Sequence, residues 1–157
     1  MTTAQVMRLG LIGAGEVVGT YHLPALVGMG EFKIVWVCDK EIGRAERIAA
    51  AAEAEMVLGS FADAPDVDAV LVAVPVGARR ETMATVFGRG WHALCEKPFA
   101  SSAAEHREFV QMARSRGICL GAGLVRRHYS STVKARRILE TELLGPICQV
   151  FAGEGRR

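Results

Sequence analysis

Leu9-Gly-Leu-Ile-Gly13-Ala-Gly15-Glu-Val-Val18-Gly19 reads as an apolar strand that passes through a glycine-rich turn straight into a helix. Gly13 suits the tight turn, and Gly15 lets a bulky group approach the main chain. The helix start that follows, at Glu16 and Val17, offers amides with no intrahelical acceptor and the positive end of a helix dipole. An anion such as a pyrophosphate is what this arrangement accommodates, which points to a dinucleotide. The third small position of the pattern falls on Val18, with Gly19 one place late. A valine there predicts a crowded contact between helix and strand, and a chain impaired in binding if the crowding is real.

Outward from this turn, short apolar runs alternate with longer helical ones, the order that βαβ units and a parallel sheet produce. Strands are expected over Arg8–Ile12, Lys33–Cys38, Glu55–Leu58, Ala69–Val74, His92–Cys95 and Ile118–Ala122. Several are almost continuously apolar, as befits strands covered on both faces. Helices are expected over Val17–Met29, Gly43–Ala54, Arg79–Arg89 and Ala103–Arg116. The last has Ser101 and Ser102 as caps, Glu105 in its first turn and Gly117 as its stop signal. The fold class is α/β, a doubly wound parallel sheet. A further helix over Ser130–Leu144, ended by Gly145-Pro146, leads into one more strand, Ile147–Ala152, with no successor to pair with.

Asp39 ends the second strand about 20 residues past the glycines, where a carboxylate suits ribose hydroxyls and repels a 2′-phosphate. Lys40 and Arg44 lie beside it and are able to accept that phosphate, so NAD is favoured and NADP remains open. Lys97 follows the fifth strand and precedes Pro98, which holds its backbone extended. At the carboxyl end of a parallel strand its ammonium faces the crevice where ligands bind in such sheets. On its chemistry alone it is a hydrogen-bond donor, a proton carrier or a surface cation.

Composition narrows the alternatives. The chain has 157 residues, half of them apolar, and a net charge of +2, too small to argue for nucleic acid. No apolar run approaches the roughly 18 residues of a membrane span, and the N-terminus lacks the order of a secretory signal. Cys38, Cys95, Cys119 and Cys148 are widely spaced with no C-x-x-C pair. Three sit in or at the ends of expected strands, so reduced structural thiols, no metal site and a cytoplasmic setting are expected.

Taken together, Gly13-Ala-Gly15, Tyr21-His-Leu-Pro-Ala-Leu26, Val67-Asp-Ala-Val-Leu-Val-Ala-Val-Pro75, Gly90-Trp-His-Ala-Leu-Cys-Glu-Lys-Pro98 and Gly121-Ala-Gly-Leu-Val-Arg126-Arg127 resemble the N-terminal half of the Gfo/Idh/MocA oxidoreductases. The resemblance covers nearly the whole chain. It implies a Rossmann fold that binds NAD or NADP, with Gly13, Gly15, Glu16, Val17, Asp39, Lys40, Val74, Pro75, Glu96, Lys97 and Arg127 at the cofactor. It further implies that Lys97 is catalytic near the nicotinamide ribose and substrate, that Lys97–Pro98 is cis, and that Arg127 borders the nicotinamide end. Where the family often carries His after the fourth-strand proline, this chain has Arg79, which keeps a donor near the cofactor but cannot titrate. His22 reads as a packing or capping residue.

Residues 1–123 are expected to form the dinucleotide-binding domain. Residues 124–157 then form a connecting helix and the first strand of a second α+β domain that is otherwise missing. The resemblance implies hydride transfer to or from a sugar, polyol or related hydroxyl or carbonyl compound in a complete enzyme. The short chain itself is expected to bind cofactor with little turnover. The alternative is a non-catalytic module or regulatory subunit that needs a partner. The unpaired strand Ile147–Ala152 predicts self-association into a homo-oligomer.

Overall fold

The structure is a computed structural model and describes residues 6–142, 145–151 and 153. By internal contacts the chain divides into two compact units, Met1–Gly123 and Leu124–Arg157. In the first unit, six parallel strands lie in the order β3-β2-β1-β4-β5-β6. They are β1 (Met7–Ile12), β2 (Phe32–Cys38), β3 (Met56–Leu58), β4 (Ala69–Val72), β5 (His92–Cys95) and β6 (Leu120–Ala122). This is the doubly wound order, with its switch point between β1 and β4, where a ligand crevice opens beyond the strand ends.

Alternation along the strands divides the core between two faces. Leu11, Val37 and Leu71 join Val18, Leu23, Ala45, Ile48 and Ala49 in one buried cluster. Those helical residues come from the first helix and from α2 (Ile42–Ala52). Ile12, Trp36, Val70 and Val72 join Met83, Val86, Phe87, Phe109 and Ala113 in the other, on α3 (Arg79–Gly88) and α4 (Ala103–Ser115). Strands buried on both faces must be apolar throughout, which explains the unbroken runs. Trp36 is fully buried and lies where a Cβ on Gly10 would sit 2.2 Å from its ring. Glycine in mid-strand therefore makes room for an indole, and the β1–β2 register shifts between Leu9 and Gly10.

Several boundaries differ from the sequence expectation. The first helix is not one piece: a π-turn spans Val18–His22, with the Leu23 amide donating to the Val18 carbonyl, and α1 (Leu23–Val27) follows. Pro24 lacks an amide and its ring would meet the carbonyl four residues back, so the wider turn ahead of it relieves a conflict. Val18 is not crowded out of the packing but fully buried within it, among Ala14, Ala45 and Ala49. β4 ends at Val72, before Val74 and Pro75, which has no donor for the ladder. β6 begins at Leu120 because the Ile118 amide closes the end of α4 on the Ala113 carbonyl, 2.9 Å. The Cys119 amide goes to His92 Nδ1, 3.1 Å.

The second unit holds a 3₁₀ turn (Val125–His128) and α5 (Ser130–Glu140). α5 stops short of the expected Leu144; Leu143 and Leu144 lie outside the described residues. The expected strand Ile147–Ala152 is not formed over its described part, residues 147–151, and Ala152 lies outside them. An apolar segment becomes a strand only when another backbone pairs with it, and among the described residues none does. Ile147, Val150 and Phe151 are accordingly exposed.

Candidate functional site

The site is assembled at the carboxyl ends of β1, β2, β4 and β5, beginning with the glycine turn. Gly13 has φ +98°, and a Cβ there would stand 2.7 Å from the Ala73 carbonyl oxygen. Its amide donates to the Cys38 carbonyl, 2.8 Å. Glycine is thus required at this position twice over, by backbone conformation and by a neighbouring main chain that cannot yield. Gly15 is the opposite case. A Cβ on it would meet nothing within 4 Å, and it borders a cleft of about 800 Å³. The first helical bonds run from the Val18 and Gly19 amides to the Gly15 carbonyl, both 3.1 Å. The Glu16 and Val17 amides therefore precede the helical ladder, as at any helix start.

Asp39 is fixed from two sides. One carboxylate oxygen accepts from the Ala14 amide at 2.7 Å, and the other from the Glu41 amide at 2.9 Å. Each oxygen retains capacity for another donor, so the bonds orient the group without exhausting it. Of the two nearby cations, Arg44 pairs with Glu41 at 2.8 Å, while Lys40 is exposed on the cleft wall. Beneath them, burial and then the Asp39 charge push the Cys38 thiol up to about 11, which makes it a structural group rather than a nucleophile.

The second half of the site is the loop leaving β5. Lys97 is exposed and its peptide bond to Pro98 is cis, as expected. Glu96 is buried; one oxygen accepts from the Lys97 amide at 2.9 Å and the other meets His22 Nε2 at 2.8 Å. Gly123 packs so close to this carboxylate that a Cβ on it would come within 2.9 Å. Arg79 is buried as well. Its Nε donates to the Val74 carbonyl at 2.9 Å, and its Nη1 donates to the carbonyls of Glu96, Pro98 and Phe99. Burial raises the pKa of the adjoining Cys95 thiol, with Arg79 pulling it partly back.

Six of the expected cofactor residues, Gly13, Gly15, Asp39, Lys40, Val74 and Pro75, line the one cleft. Glu16 borders an adjoining cleft of about 510 Å³ together with Gly15, Arg44 and Arg47, and Val17 is partly exposed beside it. Glu96 and Lys97 do not line the main cleft; they stand at the next strand end, joined to Val74 through Arg79. Arg127 belongs to the second unit, exposed in its 3₁₀ turn. Arg79, expected to keep a donor near the cofactor, directs its Nε and Nη1 donors to main-chain carbonyls. The His22–Glu96 bond was not foreseen, because it joins residues 74 apart in the sequence. Cys38 and Cys95 are buried, whereas Cys119 and Cys148 are exposed. Among the described residues no cluster of three metal-ligating side chains occurs.

The model of an oxidoreductase family with an NAD-binding Rossmann fold matches residues 7–124. The chain belongs to the Gfo/Idh/MocA oxidoreductases. Among its relatives, inositol 2-dehydrogenase 1 of Saccharopolyspora erythraea is 34% identical over 148 residues, covering 88% of this chain and 43% of that protein. The dTDP-3,4-didehydro-2,6-dideoxy-alpha-D-glucose 3-reductase of Saccharopolyspora spinosa is 29% identical over 93% of this chain and 45% of its own length. A solved structure of KijD10, a 3-ketoreductase from Actinomadura kijaniata, in complex with NADP and TDP-benzene, superposes with TM-score 0.79 and 26% identity over 86% of this chain and 42% of that one. The chain thus spans less than half the length of the relatives it matches. As a Gfo/Idh/MocA member it carries the family's NAD(P)-binding oxidoreductase domain. No described helix is long and apolar enough to cross a membrane.

Proposed function

We propose that this chain holds NAD as the cofactor half of an oxidoreductase that moves hydride to or from a hydroxyl or carbonyl carbon of a sugar, polyol or related small molecule. The observation that carries the reading is the open side of Gly15, set between the rigid Gly13 turn and the oriented Asp39 carboxylate on one cleft. The residues present fit a dinucleotide. Gly15 leaves space for a pyrophosphate against the Glu16 and Val17 amides. Asp39 keeps acceptor capacity for ribose hydroxyls. Val74 and Pro75 give the cleft an apolar wall at the switch point.

When bound, the nicotinamide ring supplies the carbon that takes or gives the hydride. What Lys97 contributes is a proton held at Nζ for a substrate oxygen. Glu96 serves the same site by holding the Lys97 main chain. NAD is preferred over NADP because Asp39 repels a 2′-phosphate and Glu41 already engages Arg44. A cytoplasmic setting belongs to the same proposal, supported by the free thiols, and so does self-association, supported by the exposed side chains of Ile147, Val150 and Phe151. Light scattering tests the latter: a chain ending at Gly145 should lose the larger species.

Titration calorimetry with NAD, NADH, NADP and NADPH tests the main reading. Saturable binding of NAD and NADH, weakened on Asp39→Ala, is the expected result. A folded chain that binds none of the four would overturn it.

A further inference from the structure

Arg79 opens α3, where a cation opposes the helix dipole instead of reinforcing it. Its side chain is nevertheless 2% exposed, and a buried guanidinium is tolerated only when its donors are satisfied. The recorded partners are the carbonyls of Val74, Glu96, Pro98 and Phe99. No demand of the helix explains this placement. The pattern of acceptors does.

Three of the four carbonyls flank Lys97, one from the residue before it and two from the residues after it. On the amide side Lys97 is held by Glu96, which His22 holds in turn. The fourth carbonyl belongs to Val74, in the wall of the dinucleotide cleft. One planar fork therefore ties the cleft wall to the lysine loop. A lysine in its place has a single nitrogen and cannot span the same set of acceptors.

We infer that Arg79 is a positioning residue: acting through main-chain carbonyls, it fixes the Lys97 loop in register with the Val74–Pro75 wall. The inference rests on the cofactor reading above. It predicts that the nicotinamide half of the ligand depends on Arg79, while the adenosine half, held at Asp39 and the glycine turn, does not.

The test uses Arg79→Met and Arg79→Lys in the full chain, with circular dichroism to check folding. Two quantities are read: the dissociation constants of NADH and ADP, and the rate at which N-hydroxysuccinimide acetate acetylates Lys97 relative to Lys134, followed by peptide mass spectrometry. In Arg79→Met, NADH should weaken about tenfold, as expected for lost charge-assisted hydrogen bonds. ADP should stay within about twofold, and the relative acetylation of Lys97 should change. Arg79→Lys should fall between, and it carries the decision if the methionine variant does not fold. Equal losses of ADP and NADH, or unchanged NADH affinity with unchanged Lys97 acetylation, would reduce Arg79 to a structural residue. If the unaltered chain binds neither ligand, the cofactor reading fails by itself, and the acetylation rates still decide the role of Arg79.

Discussion

Two turns leave strands of one sheet on either side of β4 and are shaped by opposite means. The turn after β1 owes its form to missing side chains: Gly13 takes a conformation and a space closed to other residues, and Gly15 leaves an opening. The loop after β5 owes its form to side chains that are present and buried, with Arg79, Glu96 and His22 holding the main chain on either side of Lys97. The first solution exposes amides to an anion. The second fixes the main chain on either side of one exposed lysine. A cofactor site that must grip a phosphate chain and also orient a reactive end has use for both.

The sharpest way to break this contrast lies within the first turn. Gly13→Ala should destabilise the fold by at least the ~1–3 kcal/mol of a strained backbone conformation, with the clash against Ala73 added, as urea unfolding would measure. Gly15→Ala should leave the unfolding midpoint nearly unchanged and weaken NADH. Equal stability losses at the two positions would mean that the division into a structural and a ligand-facing glycine is wrong. Next in size is Val18→Ala. It removes a buried side chain and should cost about 2 kcal/mol without improving NADH affinity. A gain in affinity would revive the idea that valine obstructs the site.

A smaller effect is expected at the start of α4. The hydroxyl and amide of Ser101, and then Arg80, hold the Glu105 carboxyl below the usual carboxylate range. Because the folded pKa is depressed, the stabilisation is complete above the ordinary glutamate pKa of about 4.3 and disappears as pH falls through the lower folded value. Melting temperatures of the wild type and Glu105→Gln should therefore differ at neutral pH and converge in acid. A gap that persisted below the folded pKa would contradict this. Least costly to the molecule is a thiol count: at pH 8 a disulfide reagent should modify Cys119 and Cys148 quickly, and Cys38 and Cys95 only after denaturation. Rapid reaction of Cys95 would show that the floor of the lysine loop opens.

The same contrast explains what could be read from sequence. All six strands and the glycine turn were legible because their signals are local: apolar runs, a glycine pair and a strand-ending aspartate. Arg79 and His22 were not, since their roles depend on Glu96, 17 and 74 residues away. Nothing near either residue in sequence marks it as a clasp. The interruption of the first helix was written in Pro24 but masked by strong apolar periodicity on both sides of it. Residues 147–151 form no strand for the converse reason, because the segment has the composition of a strand, and composition does not supply a partner to pair with.

Amide chemical-shift mapping of the ¹⁵N-labelled chain is the most direct test of where the ligand lies. NADH should shift the amides of Gly13 to Val17 and Asp39 together with Val74 and Lys97, and ADP should shift only the first group. Shifts confined to surfaces away from both turns, or identical maps for NADH and ADP, would contradict a site built from these two turns.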